Sequence, residues 1–461
     1  MKGNMSEYFI ADKYNFFKID RELKDKFDIS CGITSFSIFP IQDITVRWLR
    51  YIEEVNSKLK KFNKRISLEN PELSKLLLIL SKIKTENQKQ KRDLLRALGA
   101  ICEDVFIGPY SVVIELLQDC NTNCLHCWVH SENGKKKQDS NFFKGKMNIE
   151  MFRHIAGKAR AIGVERVSLL ANGEPLMHPE ITQIINICRE NRLKFEAITN
   201  GVFMVEPLSR LMVDSGVGIV TVSLPAASAK SYTEICPKSP MEDFYKVKKN
   251  IKDFIAYRDK VDKNIELRMT HVIHNMNCHD LFEFVQMDIA LGVDVVLFKI
   301  IQLDESNYHL KLKEEQIGYL KANLPEVIDR LKAHGIKTDE LIYTFLNFYQ
   351  DAQGLRTKGY FSKKGCLAGW SFCDIHAGGE VFFCCGNKLV DMLNGDNLDK
   401  LWFSKKYNFY RIAAKNLEKN KDVKFTRGER LFDGKCESCE NINEHLYILK
   451  AIREYSLEGF L

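Results

Sequence analysis

Between residue 111 and about residue 301 the hydrophobic period of the chain alternates six times. Short apolar runs lie at 112–117, 167–170, 195–199, 217–223, 265–273 and 293–300. Between them apolar residues recur at helical spacing. Phe152, Ile155, Ala156 and Ala159 follow Asn148, and Ile181, Ile184, Ile185 and Cys188 follow Pro179. Phe244, Val247, Ile251 and Phe254 form a third set, and Leu281, Val285 and Ile289 a fourth that ends at Gly292. Strand–helix alternation implies a parallel sheet with right-handed crossovers. Six units suit an α/β fold, a partial, open (β/α)6 barrel.

The active site of a parallel α/β barrel is built from the loops beyond the C-terminal ends of its strands. Here those loops are rich in polar and metal-binding groups. The first run leads to Cys120, Cys124 and Cys127 and the second to Asn172-Gly173-Glu174-Pro175. The third ends in Thr199-Asn200-Gly201, the fourth at Ser223, and the fifth is followed by His274, Asn275 and Asn277. Taken singly, the glycine-rich turn, Asn200 and Ser223 would be ordinary turns and solvated strand ends. Their order gives them meaning.

The spacing C-x3-C-x2-C lets three thiolates hold three irons of a [4Fe–4S] cluster and leaves the fourth iron open to a substrate. The alternative is a structural zinc site completed by His126 or His130. A second set lies near the C-terminus: Cys366, then Cys384-Cys385, then Cys436 and Cys439. Cys366, Cys384, Cys436 and Cys439 suit a closed four-cysteine site, for an iron–sulfur cluster or for zinc. Cys385 is a spare thiol: a replacement ligand, a hydrogen-atom donor or buried filler. Cys373, Asp374 and His376 precede the turn Ala377-Gly378-Gly379-Glu380, which separates two β-like runs. Cys31, Cys102, Cys188, Cys236 and Cys278 have no partner spacing.

The flanks are less informative. Residues 1–105 are charged and read as a mostly helical domain, with a possible strand pair at Tyr8–Ile19 and helices from Ile44 to Leu59 and from Glu72 to about Ile101. The barrel takes 106–305. A helical connection follows over 306–360, with Ile317, Leu320, Leu324, Ile328 and Leu331 in phase, and a cysteine-rich unit takes 361–461. The chain of 461 residues is 45% hydrophobic and 28% charged, with a formal charge of +7. That is a globular composition without a call for nucleic acid. Residues 1–14 lack a signal-peptide core, and aliphatic runs such as 76–80 are too short for a bilayer. Fourteen cysteines without an export signal point to a reducing cytoplasm and to metal ligation.

The run Cys120-Asn121-Thr122-Asn123-Cys124-Leu125-His126-Cys127, followed by Asn172-Gly173-Glu174-Pro175 and Thr199-Asn200-Gly201, resembles the core of the radical S-adenosylmethionine (radical SAM) enzymes. The usual first residue of the second motif is Gly, where this chain has Asn172. The resemblance implies that Cys120, Cys124 and Cys127 ligate the cluster. It implies that the open iron chelates S-adenosylmethionine, that Glu174 meets its ammonium group, that Ser223 touches the ribose and that Trp128 lies near the adenine. Asn172, Gly173, Pro175 and Asn200 complete the cofactor-binding set. The C-terminal cysteines resemble the shorter "twitch" form of the SPASM auxiliary-cluster domain, implying one auxiliary [4Fe–4S] cluster on Cys366, Cys384, Cys436 and Cys439. Cys385 and Asp374 are the candidate catalytic residues beside it.

The expected activity is reductive cleavage of S-adenosylmethionine to a 5′-deoxyadenosyl radical that abstracts a substrate hydrogen. A flavodoxin- or ferredoxin-type protein is the expected electron donor, and neither nucleic acid nor membrane is an expected partner. Two substrate classes remain open: a peptide, as in ribosomal peptide maturation, or a small sugar-like or aminocyclitol alcohol to be oxidised or epimerised. A non-catalytic iron–sulfur or zinc binding protein is the alternative of another class. An N-terminal strand module would favour the peptide, and an all-helical cap the small molecule.

Overall fold

The computed structural model describes strands within residues 8–38, and residues 88–461 apart from 135–144, 171, 263, 339–341, 343–356, 385–387, 396 and 440. The six apolar runs form parallel strands: β5 (Ser111–Glu115), β6 (Arg166–Leu170), β7 (Phe195–Thr199), β8 (Val217–Ser223), β9 (Glu266–Ile273) and β10 (Val295–Ile300). They are hydrogen-bonded in sequence order, as βαβ units with short crossovers require. The expected helices connect them at Ile149–Ala161, Ile181–Glu190, Met241–Val261 and Leu281–Leu291. The first starts where the Asn148 side chain accepts bonds from Glu150 N and Met151 N. The last stops at Gly292, in the left-handed region at φ 76°.

Strand register gives the barrel two chemically distinct faces. Val112, Ile114, Val167, Leu169, Ala197, Val220, Val222 and Met269 are buried in one cluster with the apolar residues of the helices. The alternate positions carry Glu115, Ser168, Glu196, Thr221, Ser223 and Thr270, linked strand to strand as ladder partners or one step along. On this inner face Glu196 accepts bonds from Ser168 Oγ at 3.1 Å, Thr221 Oγ1 at 3.0 Å and Arg166 Nε at 2.9 Å. A buried carboxylate so saturated fixes three strands to one another.

The cysteine-rich unit continues the barrel sheet. β12 (Phe372–Ile375) pairs in parallel with β5, and β13 (Glu380–Phe382) and β14 (Leu389–Met392) extend it antiparallel. The β12–β13 turn falls on Ala377–Glu380 as expected, with Gly379 at φ 89°. At the other edge β11 (Lys337–Thr338) follows helix Glu314–Ala333 and pairs with β10.

At the N-terminus the possible strand pair at Tyr8–Ile19 is present, with Tyr8 opposite Ile19, and it extends into further strands that the expected helical domain did not include. Together they form a four-stranded antiparallel meander: β1 (Tyr8–Ile10), β2 (Phe17–Glu22), β3 (Lys26–Cys31) and β4 (Thr34–Ile38). The signal is a period of two: Ile19, Ile29 and Phe36 are register partners across three strands. The helices expected over 44–59 and from 72 to 87 lie outside the described residues. Helix Gln88–Cys102 belongs with the barrel rather than with an N-terminal unit. Its buried Arg96 bonds the carbonyls of Gly108 at 3.1 Å and Gly163 at 3.1 Å and the Glu165 carboxylate at 2.5 Å, and Trp370 Nε1 donates to Asp104 O just beyond its end. Five backbone and side-chain acceptors for one guanidinium make it the fastener of the barrel floor.

Candidate active site

The three cysteines lie on the loop beyond β5, and neighbouring loops supply donors to their sulfurs. The Thr122 hydroxyl stands 3.3 Å from Cys120 Sγ and 3.6 Å from Cys124 Sγ, and the Thr122 N–H donates to Cys120 Sγ at 3.5 Å. The His130 N–H donates to Cys127 Sγ at 3.3 Å. Burial pushes the Cys120 thiol up to about 12 and the Cys127 thiol to about 11. Such thiols lose their protons only to a strong local positive charge, which is what ligated iron supplies. Among the described residues no three Cys, His, Asp or Glu side chains close on one point as a single metal ion requires. Three thiols on one loop with N–H and hydroxyl donors beside them fit a polynuclear cluster with one cysteine per iron.

The Asn172–Pro175 turn packs directly on this loop. Glu174 N donates to Asp119 O at 2.7 Å, and a Cβ on Gly173 would lie 1.8 Å from that same oxygen. Glu174 is buried and caps the short helical turn Pro175–Met177 through Leu176 N at 3.0 Å. Its carboxylate also accepts from Thr199 Oγ1 at 2.6 Å and Asn200 N at 2.7 Å. Desolvation raises its pKa to about 7 against the pull of these three donors. Asn200 in turn reaches Asn121 Oδ1 at 2.7 Å and Cys120 Sγ at 4.0 Å. Asn172, in the position usually held by Gly, donates from its side chain to Glu115, and its carbonyl bonds the His130 ring at 2.7 Å. Cys120, Cys124, Cys127, Asn172, Gly173, Glu174, Pro175 and Asn200 are therefore one connected assembly. Ser223 stands at the end of β8 on the inner face, opposite Thr270. Trp128 follows Cys127 in the same turn, half-buried.

Several residues of this mouth carry little signal in the sequence. His126 and His274 face each other with ring centroids 5.8 Å apart, and among the described residues His126 Nδ1 and His274 Nε2 have no hydrogen-bond partner. Burial lowers His126 to about 4 and His274 to about 3, so both are neutral. Cys236 lies 3.2 Å, sulfur to sulfur, from Cys124. Asn307 Nδ2 donates to His126 O at 3.1 Å, which ties the loop after β10 to the cysteines. The spacing of His130, three residues after Cys127, was the one available hint for its part in the assembly.

The segment that carries Cys436 and Cys439 reaches the loop after β10. Gln302 Nε2, just past β10, donates to Ser438 O at 3.5 Å, between Cys436 and Cys439. Thr357 Oγ1 donates to Cys436 O at 2.8 Å and accepts from Cys439 N at 3.0 Å. Lys388, its side chain buried, donates to Asp433 Oδ2 at 2.7 Å, and its pKa is raised in part by Cys384 and Cys436 nearby. Cys366 opens the segment and bonds Ala414 O through its N–H at 2.8 Å. Cys385 lies outside the described residues. Asp374 faces inward on β12, with His376 Nε2 3.4 Å from its carboxylate and His376 Nδ1 3.9 Å from Glu115. These two carboxylates raise the His376 pKa against its burial.

Residues 114–287 match the family model described as the Radical SAM superfamily. The match runs from β5 into the helix before β10. An AdoMet-dependent heme synthase of Methanosarcina barkeri is 21% identical over 295 residues, covering 60% of this chain and 77% of that protein. Among solved structures, SuiB of Streptococcus suis bound to the precursor peptide SuiA superposes with a TM-score of 0.51 at 17% identity, covering 88% of this chain and 90% of that one. The structure of anSMEcpe with AdoMet and the Kp18Cys peptide gives 0.51 at 14% identity, covering 77% and 98%. At such identities the likeness is one of fold. Members of the radical SAM superfamily are enzymes, and no helix among the described residues is long and apolar enough to cross a membrane.

Proposed function

We propose that the protein cleaves S-adenosylmethionine at a [4Fe–4S] cluster on Cys120, Cys124 and Cys127 and uses the resulting radical to modify a peptide. The observation that carries this is the assembly of the three thiols with Gly173, Glu174 and Asn200 at the mouth of the barrel. When bound, the cluster supplies the electron that splits the sulfonium into methionine and a 5′-deoxyadenosyl radical. The chain's own residues do the rest. Glu174 offers its charge to the ammonium group while Thr199, Asn200 and Leu176 hold it in place. Ser223 meets the ribose, and Trp128 and the neutral His126 flank the base. The packed loops keep water from the radical.

Cys366, Cys384, Cys436 and Cys439 are proposed to hold an auxiliary cluster, with Lys388 as the cation beside it. The Gln302–Ser438 bond supports this, because it brings that segment to the substrate's side of the barrel. Asp374, paired with His376, is positioned on the inner face to take up a substrate proton. A flavodoxin- or ferredoxin-type protein would deliver the electron.

The peptide reading rests on the N-terminal meander, whose edge strands β1 and β4 each pair on one side only among the described residues and could take up an extended chain on the other. The SuiB structure, bound to a precursor peptide, supports the same reading. The test is anaerobic reconstitution followed by strong reduction with S-adenosylmethionine. The expected result is about eight irons per chain, as two four-iron clusters require, and release of 5′-deoxyadenosine. Its release should rise with a short peptide encoded beside the gene and not with sugar or aminocyclitol alcohols. No cleavage would sink the radical reading; stimulation by the alcohols alone would move the substrate to that class.

A further inference from the structure

Cys236 has no counterpart at motif spacing in the sequence, yet the fold sets it against a cluster cysteine. It follows the short helix Ala229–Ile235, whose start is fixed by a capping box between Ser228 and Ser231. Two hydrogen bonds pin the segment to the cysteine loop: Leu125 N donates to Ile235 O at 2.9 Å, and Lys238 N donates to Asn123 Oδ1 at 2.7 Å. Cys236 is 1% exposed, and its Sγ donates to Cys124 Sγ at 3.2 Å. A buried free cysteine packed as filler needs no sulfur at this distance and no staple on each side.

We infer that Cys236 is a positioning residue of the radical SAM cluster whose S–H hydrogen-bonds the Cys124 sulfur and makes the cluster easier to reduce. The inference rests on the assignment of Cys124 as a cluster ligand. A thiol is a weak donor in water, but toward an anionic sulfur in a dry site the bond is charge-assisted. Reduction adds negative charge that spreads onto the ligand sulfurs, so a donor there stabilises the reduced form more than the oxidised one. Hydrogen bonds to the sulfurs are among the levers that set cluster potentials. Such a donor acts through Cys124 and leaves the fourth iron open, as a fourth thiolate ligand would not.

The experiment is an EPR-monitored redox titration of the full-length, anaerobically reconstituted protein and of the variants Cys236→Ala and Cys236→Ser. The barrel cluster is identified as the signal that S-adenosylmethionine perturbs. The expected result is unchanged iron content in all three proteins. At one poised potential, Cys236→Ala should show a several-fold lower ratio of reduced to oxidised cluster. A tenfold change corresponds to about 59 mV for a one-electron couple. Cys236→Ser, which keeps a donor, should return most of the way to the unmodified value. An unchanged midpoint in a loaded Cys236→Ala protein would overturn the inference. So would loss of iron from that site, which would make Cys236 a ligand or a structural support. If the unmodified protein shows no signal that S-adenosylmethionine perturbs, the cluster assignment itself falls, and this inference with it.

Discussion

Gly173 lies so close to Asp119 that the backbone of one loop is the floor of the other: a Cβ at position 173 would meet the Asp119 carbonyl oxygen at 1.8 Å and its carbonyl carbon at 2.4 Å. The atoms in the way are backbone, so no rotamer change relieves the clash. Asp119 precedes Cys120 and positions it through a bond from Cys120 N to its own side chain at 3.0 Å. Gly173→Ala should therefore push the cysteine loop outward. The expected cost is about 1–3 kcal/mol of stability, read in thermal unfolding, together with reduced iron at the barrel site. A normally loaded variant with unchanged melting would show that the loops are not coupled.

Glu174→Gln replaces one acceptor oxygen with an NH2 group that must face either Leu176 N–H or Asn200 N–H. It also removes the charge proposed to meet the ammonium. S-adenosylmethionine affinity should fall by on the order of 1–3 kcal/mol, up to about a hundredfold, with iron content intact. A titration of the reconstituted variant that matches the unmodified protein would place the ammonium elsewhere.

The same carboxyl group predicts a pH dependence. Burial raises its pKa to about 7 from an ordinary 4.5, so the folded protein holds a proton that the unfolded chain has released. The unfolded state then binds fewer protons between these values, and stability falls as pH rises from about 4.5 to about 7. The size is on the order of 3 kcal/mol. Cofactor binding should run the other way, strengthening as pH rises through 7 and the carboxylate ionises. Both slopes should flatten in Glu174→Gln; equal slopes in the two proteins would assign the titration to another group.

Changing Cys120, Cys124 and Cys127 together to Ala should abolish 5′-deoxyadenosine formation and leave the far-UV circular dichroism spectrum unchanged. The three side chains sit on a loop outside the sheet, whose buried residues are supplied by the strands and helices. Retained cleavage would remove the central assignment.

Cys436→Ala with Cys439→Ala should spare some uncoupled 5′-deoxyadenosine formation and abolish conversion of the substrate. The check is the barrel-cluster EPR signal, because losing a metal site can unfold its domain. Full conversion with the barrel cluster loaded would make the second cysteine set a structural staple. Asp374→Asn should behave in the same direction, losing substrate conversion while cofactor cleavage persists.

The sequence alone determined the barrel. Strand and helix periods are local, so the six units from β5 to β10 and their four long helices stood where the apolar spacing put them. Cys120, Cys124 and Cys127 were legible because their ligand spacing is short-range, and Glu174 and Asn200 because each follows a strand. The N-terminal meander was partly legible, as the strand pair over Tyr8–Ile19, and its later strands β3 and β4 were obscured by the charged and polar residues between the apolar ones. Only the tertiary structure joined β12 to β5, gave the barrel its polar inner face, drew Gln302 to Ser438, and set Cys236 against Cys124 across 112 residues of chain. Those contacts depend on strand register and on loop-to-loop backbone bonds, which are summed over the whole fold and leave no periodic trace in any one segment.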